Sequence, residues 1–237
     1  MDNTNIIKIH PTHILVKEIP FTDEEMNELR VCAKATWTGY YEQGLDSHDY
    51  QCNSDPFPLF TKENLNIFPI LGKLKNEFEK GFYELAISHE GNTLTREQIS
   101  HMVAQQHGQM PIMQQGDLIA LHTHPGSLAY GIFYLDDVDN EKDGGILQLW
   151  DPSFHVNAGM RNPQIYEVDT VARRLVIVPT YIWHNVTQYY GKSERISVIC
   201  NLSIHPDFER VLTYSGVQEN GAFTDKTKGS GFDPAAV

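Results

Sequence analysis

Cysteine is scarce in this chain. There are three, Cys32, Cys52 and Cys200, odd in number and far apart. That argues against a disulfide framework or a cysteine zinc knuckle and fits reduced thiols, so a cytoplasmic setting is expected. Basic residues are also few, 18 Lys+Arg against 31 Asp+Glu, for a formal charge of −13. A nucleic-acid groove needs clustered Lys and Arg, so no nucleic-acid partner is expected. No apolar run nears the roughly 20 residues that span a bilayer, and no membrane association is expected. The opening MDNTNIIKIH has neither the basic stretch nor the apolar core of a secretory leader. The sequons at Asn185 and Asn201 therefore imply no glycan. What remains is an ordinary globule of 237 residues, 41% hydrophobic and 21% charged.

The N-terminal part reads as a helical buttress. Ile6 to Ile19 is rich in β-branched residues, with a break near Pro11. Thr22-Asp-Glu-Glu25 is a capping box, which predicts a helix to about Thr36 with Met26, Leu29 and Ala33 on its buried stripe. Gly39 to Phe60 is polar, aromatic and Pro-bearing, and reads as a long loop. A second helix is expected from about Asn64 to Ser88, with Ile67, Ile70, Leu71, Leu74, Phe78, Phe82 and Leu85 at helical spacing and Pro69 in its first turns. Thr95-Arg-Glu-Gln98 signals a third, shorter helix.

After Gly108 the pattern changes. Short runs of Ile, Leu, Val, Tyr and Trp are separated by Gly, Pro, Asn and Asp clusters. Expected strands are 118–122, 130–135, 146–150, 164–168, 174–178, 185–189 and 195–204. Many short strands at that spacing point to a sandwich or barrel. One domain over 1–214 is expected, with the buttress over about 1–108, the β core over about 109–206 and a flexible tail from 215 to 237.

Eleven histidines are present, and most have an ordinary surface or core reading. His122 and His124 differ, because they form His-Thr-His at the end of an apolar run. Strand side chains alternate faces, so residues two apart look the same way and two imidazoles can converge on one metal ion. His184, after the expected strand 174–178, can supply a third ligand from a strand facing the pair. Arg195 opens the run Arg-Ile-Ser-Val-Ile-Cys and shares a face with Ser197. An arginine pointing into an apolar barrel is a costly buried charge unless it meets an anion, and a carboxylate ligand suits its bidentate fork. Its other reading is a surface residue paired with Glu194 or another acid.

The ordered segments His122-Thr-His124, Gly131-Ile-Phe-Tyr-Leu135, Gly144-Gly-Ile-Leu-Gln-Leu149 with Asp151-Pro152, Val178-Pro179 followed by His184, and Arg195-Ile-Ser197 resemble the 2-oxoglutarate/iron(II)-dependent dioxygenases. The branch most like this chain is the prolyl-hydroxylase-like one, with its bacterial and phage relatives. The resemblance covers about residues 116–204. It implies a mainly β fold with N-terminal helices around a double-stranded β-helix (jelly-roll or cupin-like) core. It also implies Fe(II) as cofactor, 2-oxoglutarate as cosubstrate, O2 as oxidant and a small-molecule, amino-acid or peptide substrate that is hydroxylated. His122 and His184 match the iron-binding histidines. Arg195, Tyr134 and Ser197 match the groups that hold the far carboxylate of 2-oxoglutarate, and Gly144-Gly145 matches the turn into the next strand. Tyr130, Trp150, Tyr181 and Trp183 either line the substrate mouth or are core aromatics. The 39–60 loop, with Trp37, Tyr40 and Tyr41 nearby, is a candidate lid.

One position departs from the pattern. The family's usual motif is His-x-Asp, part of a two-histidine, one-carboxylate face. Here His124 stands where Asp is expected. It is a third neutral ligand, or it turns away and leaves two histidines, or the metal site is degenerate and the protein is a jelly-roll binding module. A three-histidine cupin-type dioxygenase that does not use 2-oxoglutarate is a further alternative, and a halogenase another.

Overall fold

The computed structural model describes residues 12–42, 59–88, 95–104, 108–124, 126–151 and 165–203. These belong to one compact unit, Met1–His205, and the expected tail at 215–237 lies outside the described residues.

The first element is strand β1 (Leu15–Glu18), followed by helix α1 (Asp23–Glu42). The capping box forms as expected. Glu25 N–H donates to Thr22 Oγ1 at 3.2 Å, and Thr22 N–H donates to the Glu25 carboxylate at 2.8 Å. Met26, Leu29 and Ala33 are buried together with Cys32. The helix does not stop near Thr36. It continues through Gly39 to Glu42, because a glycine inside a helix costs only about 1 kcal/mol and need not end it. The first part of the expected loop is therefore helical, and 43–58 lies outside the described residues.

The single helix expected from about Asn64 to Ser88 is two, α2 (Lys62–Ile67) and α3 (Ile70–Ile87). Proline excludes the residue before it from helical backbone, and Phe68 sits at φ −125°, ψ 82°. Pro69 then becomes the N-cap of α3. Ile67 falls off the stripe and is exposed, whereas Ile70, Leu71, Leu74, Phe78, Phe82 and Leu85 are buried. The third helix, α4 (Arg96–Ala104), is capped by the Thr95–Gln98 box.

The remaining elements are β2 (Gly108–Gln109), β3 (Ile112–Met113), β4 (Ile119–His122), β5 (Ser127–Tyr134), α5 (Asn140–Asp143), β6 (Leu147–Trp150), β7 (Ile165–Val168), β8 (Arg174–Pro179), β9 (His184–Val186) and β10 (Arg195–Ser203). The sequence signals missed β2, β3 and α5, which are two to four residues long and too short to show a period. The expected 185–189 strand starts one residue earlier and stops at Val186, with Tyr189 making an isolated bridge to Gly144.

These strands make two sheets. The larger has the order β1-β8-β5-β10-β2, with β3 also pairing β10, and the smaller has the order β4-β9-β6-β7. Every pairing is antiparallel. The inner residues of both sheets share one apolar cluster: Tyr130, Ile132, Tyr134, Val176 and Val178 from the larger, Leu147, Leu149 and Val186 from the smaller. The opposite face of the larger sheet is also buried, since Phe133, Leu175, Ile177, Val198 and Cys200 meet the helical layer. Phe21, just before α1, packs on Phe133 with ring centroids 5.1 Å apart. α3 lies against β1, β5 and β8, and α4 against β10. The architecture is the expected double-stranded β-helix, mainly β and backed by N-terminal helices. No described helix is long and apolar enough to cross a membrane.

Candidate active site

The three singled-out histidines come together. β4 and β9 are neighbours, and His122 lies directly opposite His184 in their register. The third ligand position is thus beside the first in the same sheet, not on a facing strand as the spacing suggested. His124 follows two residues past the end of β4. One ring nitrogen from each of the three lies within 4.8 Å of the others. His124 Nε2 and His184 Nε2 are 3.2 Å apart. Two imidazole nitrogens on adjacent vertices of one ion, each about 2.1 Å from it, would be separated by about 3 Å.

The outer nitrogens explain which way the rings point. His122 Nδ1 is 2.7 Å from the Ala120 carbonyl, and His184 Nδ1 is 3.2 Å from the Ile182 carbonyl. A carbonyl only accepts, so each Nδ1 carries the proton and each Nε2 offers a lone pair inward. Burial lowers the pKa of His122, against the Ala120 carbonyl. Burial, then the His122 charge, pushes His124 down to about 4, with Asn201 opposing. His184 is held well below the usual range by burial, then by His122 and His124. Three neutral imidazoles with ring nitrogens this close are a donor set for a transition-metal ion once each turns a lone pair inward, as His122 and His184 do. The Tyr130 ring stacks on two of them, 4.4 Å from both the His124 and the His184 ring.

The second cluster lies further along the same interior. Tyr130 and Tyr134 share a face of β5 about 13 Å apart along the strand. Opposite them in the β5–β10 register stand Asn201 and Ser197. Arg195, two residues before Ser197, is only 1% exposed. Its Nη1 donates to Met113 Sδ at 3.0 Å, and its Nε and Nη2 donate to Thr170 Oγ1 at 3.3 and 3.1 Å. Its guanidinium carbon lies 5.3 Å from the Tyr134 ring centre. Among the described residues no carboxylate forms an ion pair with it. Asp136 contributes only at longer range, since its carboxylate oxygens are taken by Arg30 Nε and Ile196 N–H. Burial lowers the Arg195 pKa, against Tyr134, Tyr189 and Asp136. The Tyr134 hydroxyl is buried beside Arg195 without a hydrogen bond of good geometry, and burial raises its pKa against the Arg195 charge. A buried cation without an anion, next to an orphaned phenol, costs several kcal/mol unless a ligand completes it. A carboxylate fits both groups.

Gly144 and Gly145 hold the backbone over this cluster, at φ +66° and +68°. A Cβ on Gly145 would sit 3.2 Å from Arg195 Cδ and 3.3 Å from its Nε. Glycine here supplies both the left-handed backbone and the close approach to the guanidinium.

The other predicted residues divide. Trp150 is not brought to the histidines. On β6 it alternates with the inward Leu147 and Leu149, and its indole N–H donates to Asn185 Oδ1 at 2.7 Å. Tyr181 and Trp183 are exposed on the turn between β8 and β9 that delivers His184. Reading the sequence missed Thr170, Met113 and Asn201. The first two carry no motif. Asn201 could have been found from strand parity, since it shares the alternation of Arg195 and Ser197.

Residues 110–201 match the family model described as "Putative 2OG-Fe(II) oxygenase". The match covers the β core, which is similar to that of the 2-oxoglutarate/iron(II) oxygenases, and it marks the chain as an enzyme that depends on Fe(II) and 2-oxoglutarate. AviO1 from Streptomyces viridochromogenes Tue57 shares its fold, with a TM-score of 0.52 and 12% identity over 82% of this chain and 90% of that one. A prolyl hydroxylase from Trichoplax adhaerens, solved with a hypoxia-inducible-factor peptide fragment, gives a TM-score of 0.50 and 11% identity over 84% and 86%. No curated protein matches the oxygenase sequence significantly. The three-histidine donor set fits a ferrous ion, and the unpaired Arg195 with Tyr134 fits the far carboxylate of the cosubstrate.

Proposed function

We propose that this oxygenase hydroxylates a C–H bond of a small molecule, amino acid or peptide, coupled to oxidative decarboxylation of 2-oxoglutarate to succinate and CO2. His122, His124 and His184 would hold the iron through Nε2, leaving positions open for the keto-acid end of 2-oxoglutarate and for O2. Bound there, iron supplies the activation of oxygen. The chain's own groups do the positioning. Arg195 binds the far carboxylate through its fork, Tyr134 donates its orphaned hydroxyl to the same group, and Ser197 stands beside Tyr134 in register. Tyr130 walls the metal end and excludes water from it. Tyr181 and Trp183 contact substrate at the rim, whereas Trp150, turned to the other face of its strand, does not.

The single observation that carries this reading is Arg195, 1% exposed and without a carboxylate partner among the described residues. It also weighs against a cupin-type dioxygenase, which would share the all-histidine metal site but leave a buried guanidinium with nothing to bind. The test is a panel of amino acids, peptides and small metabolites incubated with Fe(II) and 2-oxoglutarate. A true substrate raises succinate release and gains one oxygen atom in mass. Succinate release that no Fe(II) loading and no panel member elevates, with oxygen consumed in the absence of 2-oxoglutarate, overturns the proposal.

A further inference from the structure

The third histidine lacks what the other two have. His122 and His184 each pin Nδ1 on a backbone carbonyl two residues back, Ala120 and Ile182. His124 lies beyond the end of β4, and among the described residues no carbonyl meets its ring. Its Nε2 lies 3.2 Å from the His184 Nε2, whose lone pair can accept from it, and the form with the proton on Nε2 cannot bind a metal there.

One side chain is placed to fix this. Asn201 lies on β10, opposite Tyr130 in register, and the Tyr130 ring stacks on His124 at 4.4 Å and an interplanar angle of 15°. Asn201 and His124 are close enough to interact, yet the Asn201 Oδ1 is buried and makes no hydrogen bond of good geometry. An amide oxygen buried without a donor costs about 1–3 kcal/mol, and a ring N–H turned toward it removes that cost.

We infer that Asn201 is the positioning residue for His124: its Oδ1 accepts the Nδ1 proton, so that Nε2 presents its lone pair beside that of His184. This rests on the three-histidine reading above. It assigns the side-chain amide the part that backbone carbonyls play for the other two rings.

Long-range 15N–1H spectra of the metal-free protein read the tautomers directly. His124 is expected with its proton on Nδ1, as are His122 and His184. In Asn201→Leu, His124 alone shifts toward the Nε2–H form, and Co(II) affinity, measured with the metal alone, falls about 10- to 100-fold. Asn201→Asp keeps both the tautomer and the affinity. A wild-type His124 protonated on Nε2, or an Asn201→Leu protein with unchanged tautomer and affinity, overturns the inference. If Asn201→Leu does not fold, the wild-type spectrum decides alone. His124→Ala separates the two levels. Unchanged Co(II) affinity in that variant defeats the three-histidine reading itself, whereas weakened affinity there with none in Asn201→Leu defeats only the role of Asn201.

Discussion

The two sheets divide the work unequally. The larger is buried on both faces, with Tyr130, Ile132 and Tyr134 pointing inward and Phe133, Leu175 and Val198 pointing at the helices. The smaller is buried on one face. β6 alternates Leu147 and Leu149 inward with Gln148 and Trp150 outward, and β7 is mostly exposed. The larger sheet carries Arg195 and Tyr134, where a ligand must be gripped in a dry setting. The smaller carries His122 and His184. The wall buried on both faces carries the proposed cosubstrate end, and the thinner wall carries the proposed metal end.

The contrast is open to several tests. The largest expected effect is on stability in the larger sheet. Phe133→Ala empties a fully buried ring site between sheet and helices and should cost about 3–5 kcal/mol in denaturant unfolding. Tyr166→Ala, exposed on the edge strand β7 of the smaller sheet, should stay within about 0.5 kcal/mol. Similar costs at both sites would mean that the smaller sheet is covered after all.

Next is ligand grip. Arg195→Met should raise the KM for 2-oxoglutarate about 100-fold or more, as expected when a buried charged contact worth roughly 2–5 kcal/mol is lost, with Co(II) affinity unchanged. Equal losses in both would place Arg195 in folding, not in ligand binding. A smaller effect is expected at Gly145. A methyl there crowds the Arg195 side chain and strains a residue at φ +68°, so Gly145→Ala should weaken 2-oxoglutarate about tenfold while thermal stability falls by roughly 1 kcal/mol.

A last test, read against pH and not at a single condition, is the stability of the metal-free protein. The histidine pKa values are lowered on folding, that of His124 from 6.5 to about 4. The unfolded chain therefore binds more protons between those values, and stability rises with pH across that window. Below pH 6.5 stability should fall by up to about 1.4 kcal/mol per pH unit for each ring involved. Replacing His124 by Gln should flatten that slope, and an unchanged slope would mean that His124 is already protonated in the fold.

Much of this was legible in the residues. The capping boxes at Thr22 and Thr95, the buried stripe of α3 and the alternation along β10 are local signals, and each formed as read. Pro69 was misread because proline is tolerated in a first helical turn, and the backbone limit it sets on Phe68 went unused. The adjacency of β4 and β9 was not legible, since it depends on pairing between strands some sixty residues apart in sequence. For the same reason the spacing of His122, His124 and His184 suggested convergence but set His184 on a strand facing the pair, not on the one beside it. Thr170 and Met113 meet Arg195 only through the fold. Asn201 had the right parity, but its only local signal was a sequon.

The most direct measurement is an anaerobic titration of the Fe(II)-loaded protein with 2-oxoglutarate, followed by visible absorbance. The account predicts a weak metal-to-ligand charge-transfer band that saturates at one equivalent, and that in Arg195→Met requires far more 2-oxoglutarate to reach the same height. An iron-loaded protein that shows no such band, or one that Arg195→Met reaches at the same concentration, contradicts it.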